Sequence, residues 1–333
     1  MKIVVGEDGG GRRLDRYLKK YLRGAPLSFI YRIIRKDVKV NGRRAAADRL
    51  LAAGDTVEIF LPDAQIEGFV PPAREAKAKR QFTVVYEDED VLVVNKPFGL
   101  LTHGDETERK NTLANQVVSY LIESKVYNPL RQRAFTPAPA NRLDRNTTGL
   151  VLFGKTLAGL QGLTAAMRGD GLEKTYLTVV KGRMKGPLPL RNRMVRDREK
   201  NVTVVLPEGA DGGLSMEMVA KPAGFGKGYT LVEAQLVTGR THQIRAQLAE
   251  AGYPVIGDRK YGDAAANRAA QERFGLTTQL LHARRLMVRD GGSLPRLTGM
   301  IWEAPLPERF HVIMEGLDIR WQDERRRKEE TSS

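Results

Sequence analysis

Seven short runs rich in β-branched and apolar residues recur between positions 82 and 288: FTVVY, VLVVN, GLVLFG, TYLTVV, NVTVVL, YTLVEAQLV and LLHARRLMV. Runs of this length and make-up read as strands. Between them lie only a few helical patterns, notably LANQVVSYLI, LAGLQGLTAAM and THQIRAQLAEAG. The regular strand–helix alternation that builds a parallel sheet is therefore missing. The expected class is α+β: a mixed, largely antiparallel sheet with helices packed on it.

The first 62 residues read as a separate, small α/β unit. RRLDRYLKKYL places Leu14, Leu18, Tyr21 and Leu22 at helical spacing, and SFIYRIIRKD follows with Ser28 in position to cap a second helix. Asn41-Gly42 marks a tight turn after the short strand of VKVNGRR, and Gly54-Asp55 turns the chain into the strand TVEIFL. Residues 63–80 carry a Pro-Pro pair and a charged stretch without apolar periodicity, which reads as a linker. The large unit is then expected over 81–318, with a charged tail over 319–333.

Charge narrows the partners. The 333 residues carry a formal net charge of +15, a surplus that favours polyanions. Up to Pro62 there are 14 Lys and Arg against 7 Asp and Glu, so +7 of the excess sits in that first unit. Arg12, Arg13, Arg32, Arg35, Lys39 and Arg43 flank its helices and turn, as a phosphate-binding face requires. Cysteine is absent and the four histidines are scattered, so neither disulfides, thiolate nucleophiles nor a metal cluster is expected. No stretch has the roughly 20 apolar residues that a membrane span needs. A cytoplasmic protein without membrane partner or cofactor is the expectation.

The motif NRLDRNTTGL, residues 141–150, sets one acid, Asp144, between Arg142 and Arg145. Alone, it reads as a surface aspartate paired with its neighbours. TGRTHQIRAQL adds Arg240, His242 and Arg245 at the start of a helix, and EKTYLTVVKG places Tyr176 early in a strand. His242 reads as a helix-start histidine, and Tyr176 alone as ordinary strand filling. VNKPFGLLTH is an abrupt strand-to-loop exit that frames a cleft, with Lys96 and His103 as its residues able to contact RNA.

Together with GYPVIGDRKYG and LLHARRL, these segments stand in the order of the RluA-type pseudouridine synthases, which the chain resembles over residues 94–286. Residues 12–60 resemble the alpha-L RNA-binding motif of a small-subunit ribosomal protein. The resemblance implies an isomerase of uridines in large-subunit ribosomal RNA, free or in an assembling particle, with no cofactor and a monomer favoured. It implies that Asp144 is the catalytic carboxylate, Arg245 its partner and Tyr176 the ring against the target base. Arg142 would hold the flipped arrangement, Leu281 would add an apolar wall, and Arg240 would meet phosphate. Asn141, Asn146 and Thr148 stand where many members have His, Asp and Ser, which bears on subgroup and target nucleotide.

Two other classes compete. A nucleoside glycosidase needs two carboxylates flanking the bond, and only one acid stands among these arginines. A non-catalytic ribosomal RNA-binding assembly factor would need the RNA surfaces but not Asp144, Tyr176 and Arg245 together in matching contexts.

Overall fold

The computed structural model describes residues 1–6, 9–62, 65–66, 68–69, 78–129, 132, 135–197, 199 and 202–321. Most of the expected linker and residues 322–333 of the tail lie outside the described residues.

The first unit has its own sheet and core. Strands β1 (Lys2–Val4), β2 (Val38–Val40) and β3 (Thr56–Ile59) pair antiparallel in the order β1-β3-β2. Helices α1 (Leu14–Tyr21) and α2 (Leu27–Lys36) bury Leu14, Leu18, Ile30 and Ile33 against it, the residues that helical spacing brings to one face. Ile66 and Phe69 join the same core, Phe69 with its ring centroid 4.6 Å from that of Phe29. Asn41 and Gly42 both take positive φ, 51° and 75°, as the tight turn demands. Ser28 does not cap α2: the helix starts one residue earlier, Pro26 stands at the cap position, and no side chain accepts there. Proline's fixed φ suits that entry without a capping oxygen.

The large unit is built on β4 (Thr83–Glu87), β5 (Val91–Lys96), β6 (Ala138–Pro139), β7 (Thr148–Gly154), β8 (Leu172–Lys181), β9 (Leu188–Asp197), β10 (Val202–Leu206), β11 (Leu214–Gly226), β12 (Tyr229–Leu236), β13 (Leu281–Val288) and β14 (Ile301–Glu303). They form one 11-stranded sheet whose main path runs β10-β9-β11-β12-β8-β13-β7-β5-β4. The single parallel pair along that path is β13 with β7. The sheet is thus mixed and largely antiparallel, as expected.

Helices α3 (Leu113–Glu123), α4 (Leu157–Arg168), α5 (Gln243–Glu250), α6 (Ala264–Phe274) and α7 (Glu308–Gly316) cover the sheet. In β5 and β7 alternate residues serve opposite cores. Leu92, Val94, Val151 and Phe153 pack with Leu113, Val117 and Leu121 of α3, whereas Val91, Val93, Leu150 and Leu152 pack with Leu163 of α4 and with Trp302. Burial on both faces explains why these strands read as continuous apolar runs. Among the described residues no helix is long and apolar enough to cross a membrane.

The parallel seam is short and tight: His282 faces Thr148 and Ala283 faces Gly149. Gly149 has φ +110°, and a Cβ built on it would lie 2.2 Å from the carbonyl oxygen of Ala283. Any side chain must force the two strands apart at the point where NRLDRNTTGL enters the sheet. Gly149→Ala is expected to cost about 3 kcal/mol or more of unfolding free energy. A urea denaturation midpoint unchanged from wild type would show that the seam tolerates a methyl group.

Candidate active site

Asp144 lies in the irregular turn between β6 and β7, with its side chain about one-third exposed (31%). Its flanking arginines do not hold it. Arg145 turns away, its Nη2 donating to Thr107 Oγ1 at 2.9 Å and to Asp105 Oδ2 at 3.3 Å, and Arg142 points outward into the cleft. The partner is Arg245, 101 residues later on α5, whose Nη1 donates to Asp144 Oδ2 at 2.9 Å. Asp144 Oδ1 makes no hydrogen bond with a described residue.

The other side of the same guanidinium is taken by Asp258. Arg245 Nε donates to Asp258 Oδ2 at 2.6 Å and Nη2 to Oδ1 at 2.9 Å, with Asp258 fully buried. Burial alone would raise the Asp258 pKa, but the Arg245 fork and the amides of Lys260 and Tyr261 outweigh it and hold it below the usual range. Arg245 is thus locked in one orientation by a bidentate pair and presents its remaining corner to Asp144. Sequence reasoning missed Asp258, although it stands inside GYPVIGDRKYG. The Gly257 before it, at φ 75°, was the available sign of a constrained turn.

His242 proves to be more than a helix start. It occupies the left-handed region at φ 58° as the cap residue of α5, and its Nε2 lies 3.8 Å from Asp144 Oδ2. Burial pushes its pKa down to about 4, Arg245 and Lys260 adding to the effect against the pull of Asp144. The ring is therefore neutral near pH 7 and carries one proton. Tyr261 Oη, which accepts from the Thr203 amide at 2.5 Å, lies within hydrogen-bond distance of His242 Nδ1, at 3.0 Å.

Asp144 opens onto a cleft of about 840 Å³ that also receives Tyr176, Arg245, Arg142, Arg240 and His103. Tyr176 is half-buried on β8, opposite Ala234 and Ala283, small residues that leave its ring room. Burial, and then the charge of Asp144, push its hydroxyl well above the ordinary range, so it stays protonated at neutral pH. Leu281, buried at the start of β13, forms an apolar wall with Tyr176 beside Asp144. Arg240 is exposed, its Nε donating to the Ser215 carbonyl at 3.2 Å.

Lys96 is the correction. It was expected as a residue able to contact RNA, yet it is fully buried, and its Nζ donates to the carbonyls of Leu100 at 2.7 Å, Arg145 at 3.0 Å and Pro97 at 3.1 Å. Burial brings its pKa down to about 7, opposed by Asp144. Instead of reaching for phosphate, it ties the exit of β5 to the loop that carries Asp144. His103, by contrast, is exposed at the cleft.

The basic residues of the first unit lie elsewhere. Arg32, Arg35, Lys39 and Arg43 are exposed, with Arg44, which the sequence reading passed over, donating to the Arg35 carbonyl at 3.0 Å. Arg32 stacks over Phe29 and Lys39 over Phe60. Arg13 is engaged by Asp15 at 2.9 Å, and the Nε of Arg12 is buried.

A second histidine holds the seam. His282 is fully buried, with Nδ1 2.7 Å from Thr148 Oγ1, and burial brings its pKa from 6.5 to about 4. Protonation is thus harder in the fold than in the unfolded chain, so its contribution is whole above about pH 6.5 and is lost as pH falls towards 4. That loss should reach about 3 kcal/mol. Urea unfolding of wild type and His282→Gln between pH 7.5 and 4.5 should show the variant losing less over the interval. Parallel pH slopes would mean that His282 does not titrate there.

Residues 90–250 match the family model described as RNA pseudouridylate synthase. Ribosomal large subunit pseudouridine synthase C of Vibrio vulnificus is 33% identical over 322 residues, covering 95% of this chain and 96% of the relative. The protein of the same name from Escherichia coli K12 is 34% identical over 319 residues, covering 92% and 93%. Among solved structures, Human RNA Pseudouridylate Synthase Domain Containing 4 superposes with a TM-score of 0.55 at 20% identity. The match covers 71% of this chain and 93% of that one, and likeness at that identity speaks for the fold.

Proposed function

The chain belongs to the RNA pseudouridylate synthase family, and from that premise we propose that it isomerises specific uridines of large-subunit ribosomal RNA to pseudouridine with Asp144 as the reacting carboxylate. The observation that carries the reading is the shared guanidinium of Arg245, anchored by buried Asp258 and turned towards a partly exposed Asp144. A surface aspartate in a turn has no use for so fixed a partner. The names of the relatives from Vibrio vulnificus and Escherichia coli support the choice of large-subunit ribosomal RNA.

In this reading the uracil N1–C1′ bond breaks, the base turns in place, and a C5–C1′ bond forms while the C5 proton leaves and N1 gains one. There is no net redox change. A stacked uridine cannot reach Asp144, so the nucleotide leaves the helix and its base enters between Tyr176 and Leu281. The Tyr176 ring offers a stacking face, and its protonated hydroxyl is a donor. Asp144 keeps one oxygen bonded to Arg245 and uses the other for chemistry. Arg142, Arg240 and His103 surround the cleft mouth, where the strand backbone would pass. The non-catalytic alternative leaves the Asp258–Arg245–Asp144 arrangement without a role. Such an enzyme works where ribosomal RNA is made and assembled, in the cytoplasm, as a monomer on free RNA or on an assembling subunit.

Asp144→Asn removes the reactive carboxylate and almost no contact area. Turnover below about 1% of wild type is expected, with RNA affinity within about tenfold. Pseudouridine mapping of ribosomal RNA incubated with the variant measures this, and residual activity well above 1% would remove Asp144 from the central role.

The first unit, in the same reading, grips RNA away from the reacting base through Arg32, Arg35, Lys39, Arg43 and Arg44. Because Ile66 and Phe69 belong to its core, a clean removal ends after Phe69. The truncated protein should bind ribosomal RNA more weakly, with a flatter dependence of log affinity on log salt. Equal affinity and equal slope for both proteins would deny the unit any grip.

A further inference from the structure

Beside the catalytic cleft, past Leu281, lies a second cavity of about 220 Å³. It is below the roughly 300–1,000 Å³ of drug-sized pockets, a size suited to one flat ring system. Leu276, Leu280, Leu281 and Phe310 give it an apolar floor, and Phe98 stands at its edge with 47% of its surface exposed. Asn146 and Gln279 line both this cavity and the catalytic cleft, so the two spaces adjoin.

Three polar side chains here offer groups that no described residue engages by hydrogen bond or ion pair. Gln279 is only 8% exposed, yet its amide makes no hydrogen bond with a described residue. That amide is left available to a ligand in the cavity. The Asn146 amide is likewise unbonded among the described residues. Arg309 is exposed, stacks over the Phe98 ring at 4.9 Å, and forms no ion pair with a described residue. None of these groups is used by the reaction at Asp144.

We propose that this cavity takes a second nucleobase of the substrate RNA, unstacked from a nucleotide flanking the target uridine. The inference rests on the RNA-modifying reading above. A nucleobase has what the cavity lacks: a flat face for Phe98 and the leucine floor, and an edge with both donors and acceptors for the amides of Gln279 and Asn146. Its own phosphate, negative and solvated, suits Arg309 at the rim. Leu281 separates the two base sites, so one strand splays two neighbouring nucleotides over the start of β13. Target choice then depends on that neighbour as well as on the uridine.

The test uses the full chain and a fragment of the organism's own large-subunit ribosomal RNA containing one modified uridine. Each of the three nucleotides on either side of the uridine is replaced in turn by an abasic residue, which keeps the backbone and removes the base. Wild type should lose about tenfold in kcat/KM at one of these positions, within what base–aromatic stacking supplies. Phe98→Leu, Arg309→Gln and Gln279→Leu should each lose up to about tenfold on intact RNA. On the abasic RNA Phe98→Leu and Gln279→Leu should lose little further, because the partner is already gone. Phe98 and Arg309 are exposed, so their variants keep the test standing if Gln279→Leu does not fold. Normal turnover of intact RNA with no sensitive position, or losses that multiply independently, would overturn the subsite and leave the enzyme reading intact. Losses confined to assembling subunits and absent on naked RNA would give the cavity to a protein side chain and overturn it too. Wild type that makes no pseudouridine in the RNA would remove the reading and the subsite together.

Discussion

One guanidinium shared by two carboxylates of unequal exposure organises the large unit. Asp258 is sealed from water and Asp144 is not. Burying an arginine is expensive unless every donor direction is used, and here two directions go to Asp258 and one to Asp144. The buried pair pins the guanidinium so that the exposed carboxylate inherits a fixed geometry. Much of the surrounding backbone serves that end. Gln243 at the start of α5 accepts from the Arg240 amide and donates to the Glu217 carbonyl. Gln247 one turn on donates to Asn192 Oδ1. The helix that carries Arg245 is thereby bolted to β9 and β11, and His242 absorbs the strain of entry in a left-handed conformation.

What was readable in the chain followed burial. β5 and β7 are covered on both faces, so nothing but apolar residues suits them and the runs stand out. β9 and β11 lie towards the outer end of the sheet with half-exposed patterns, and the charged LPLRNRMVRD has no apolar run to mark it as a strand. β11 is further broken by a register shift between Pro222 and Gly224, which hides thirteen residues of strand behind a Pro-Ala-Gly turn signal. Helix α6 went unseen in AAANRAAQERF because its buried face is only alanine, although Asp263 caps its start and Gly275 ends it.

The site shows the same division. Asp144, Tyr176, Arg245 and Leu281 were named from matching segments, and all four line the cleft. Asp258 was passed over, and His242 was read only as a helix-start residue, which it is, because their place beside Asp144 comes from what folds against them, which no spacing records. Lys96 was misjudged for a related reason. Lysine is almost always solvated, and only the convergence of three carbonyls from β5's exit and the Asp144 loop makes an inward ammonium tolerable.

The parallel seam between β7 and β13 has a consequence for the life of the chain during synthesis. His282 and Thr148 meet across 134 residues, and contacts of such long range close late because the loop between them must be ordered first. A nascent polypeptide that has already emerged through β7 holds Asp144 but has neither Arg245 nor the strand that seats the loop. Asp144 is therefore an ordinary turn aspartate until the last fifth of the protein has left the ribosome. Truncated products of interrupted translation carry the motif without its machinery.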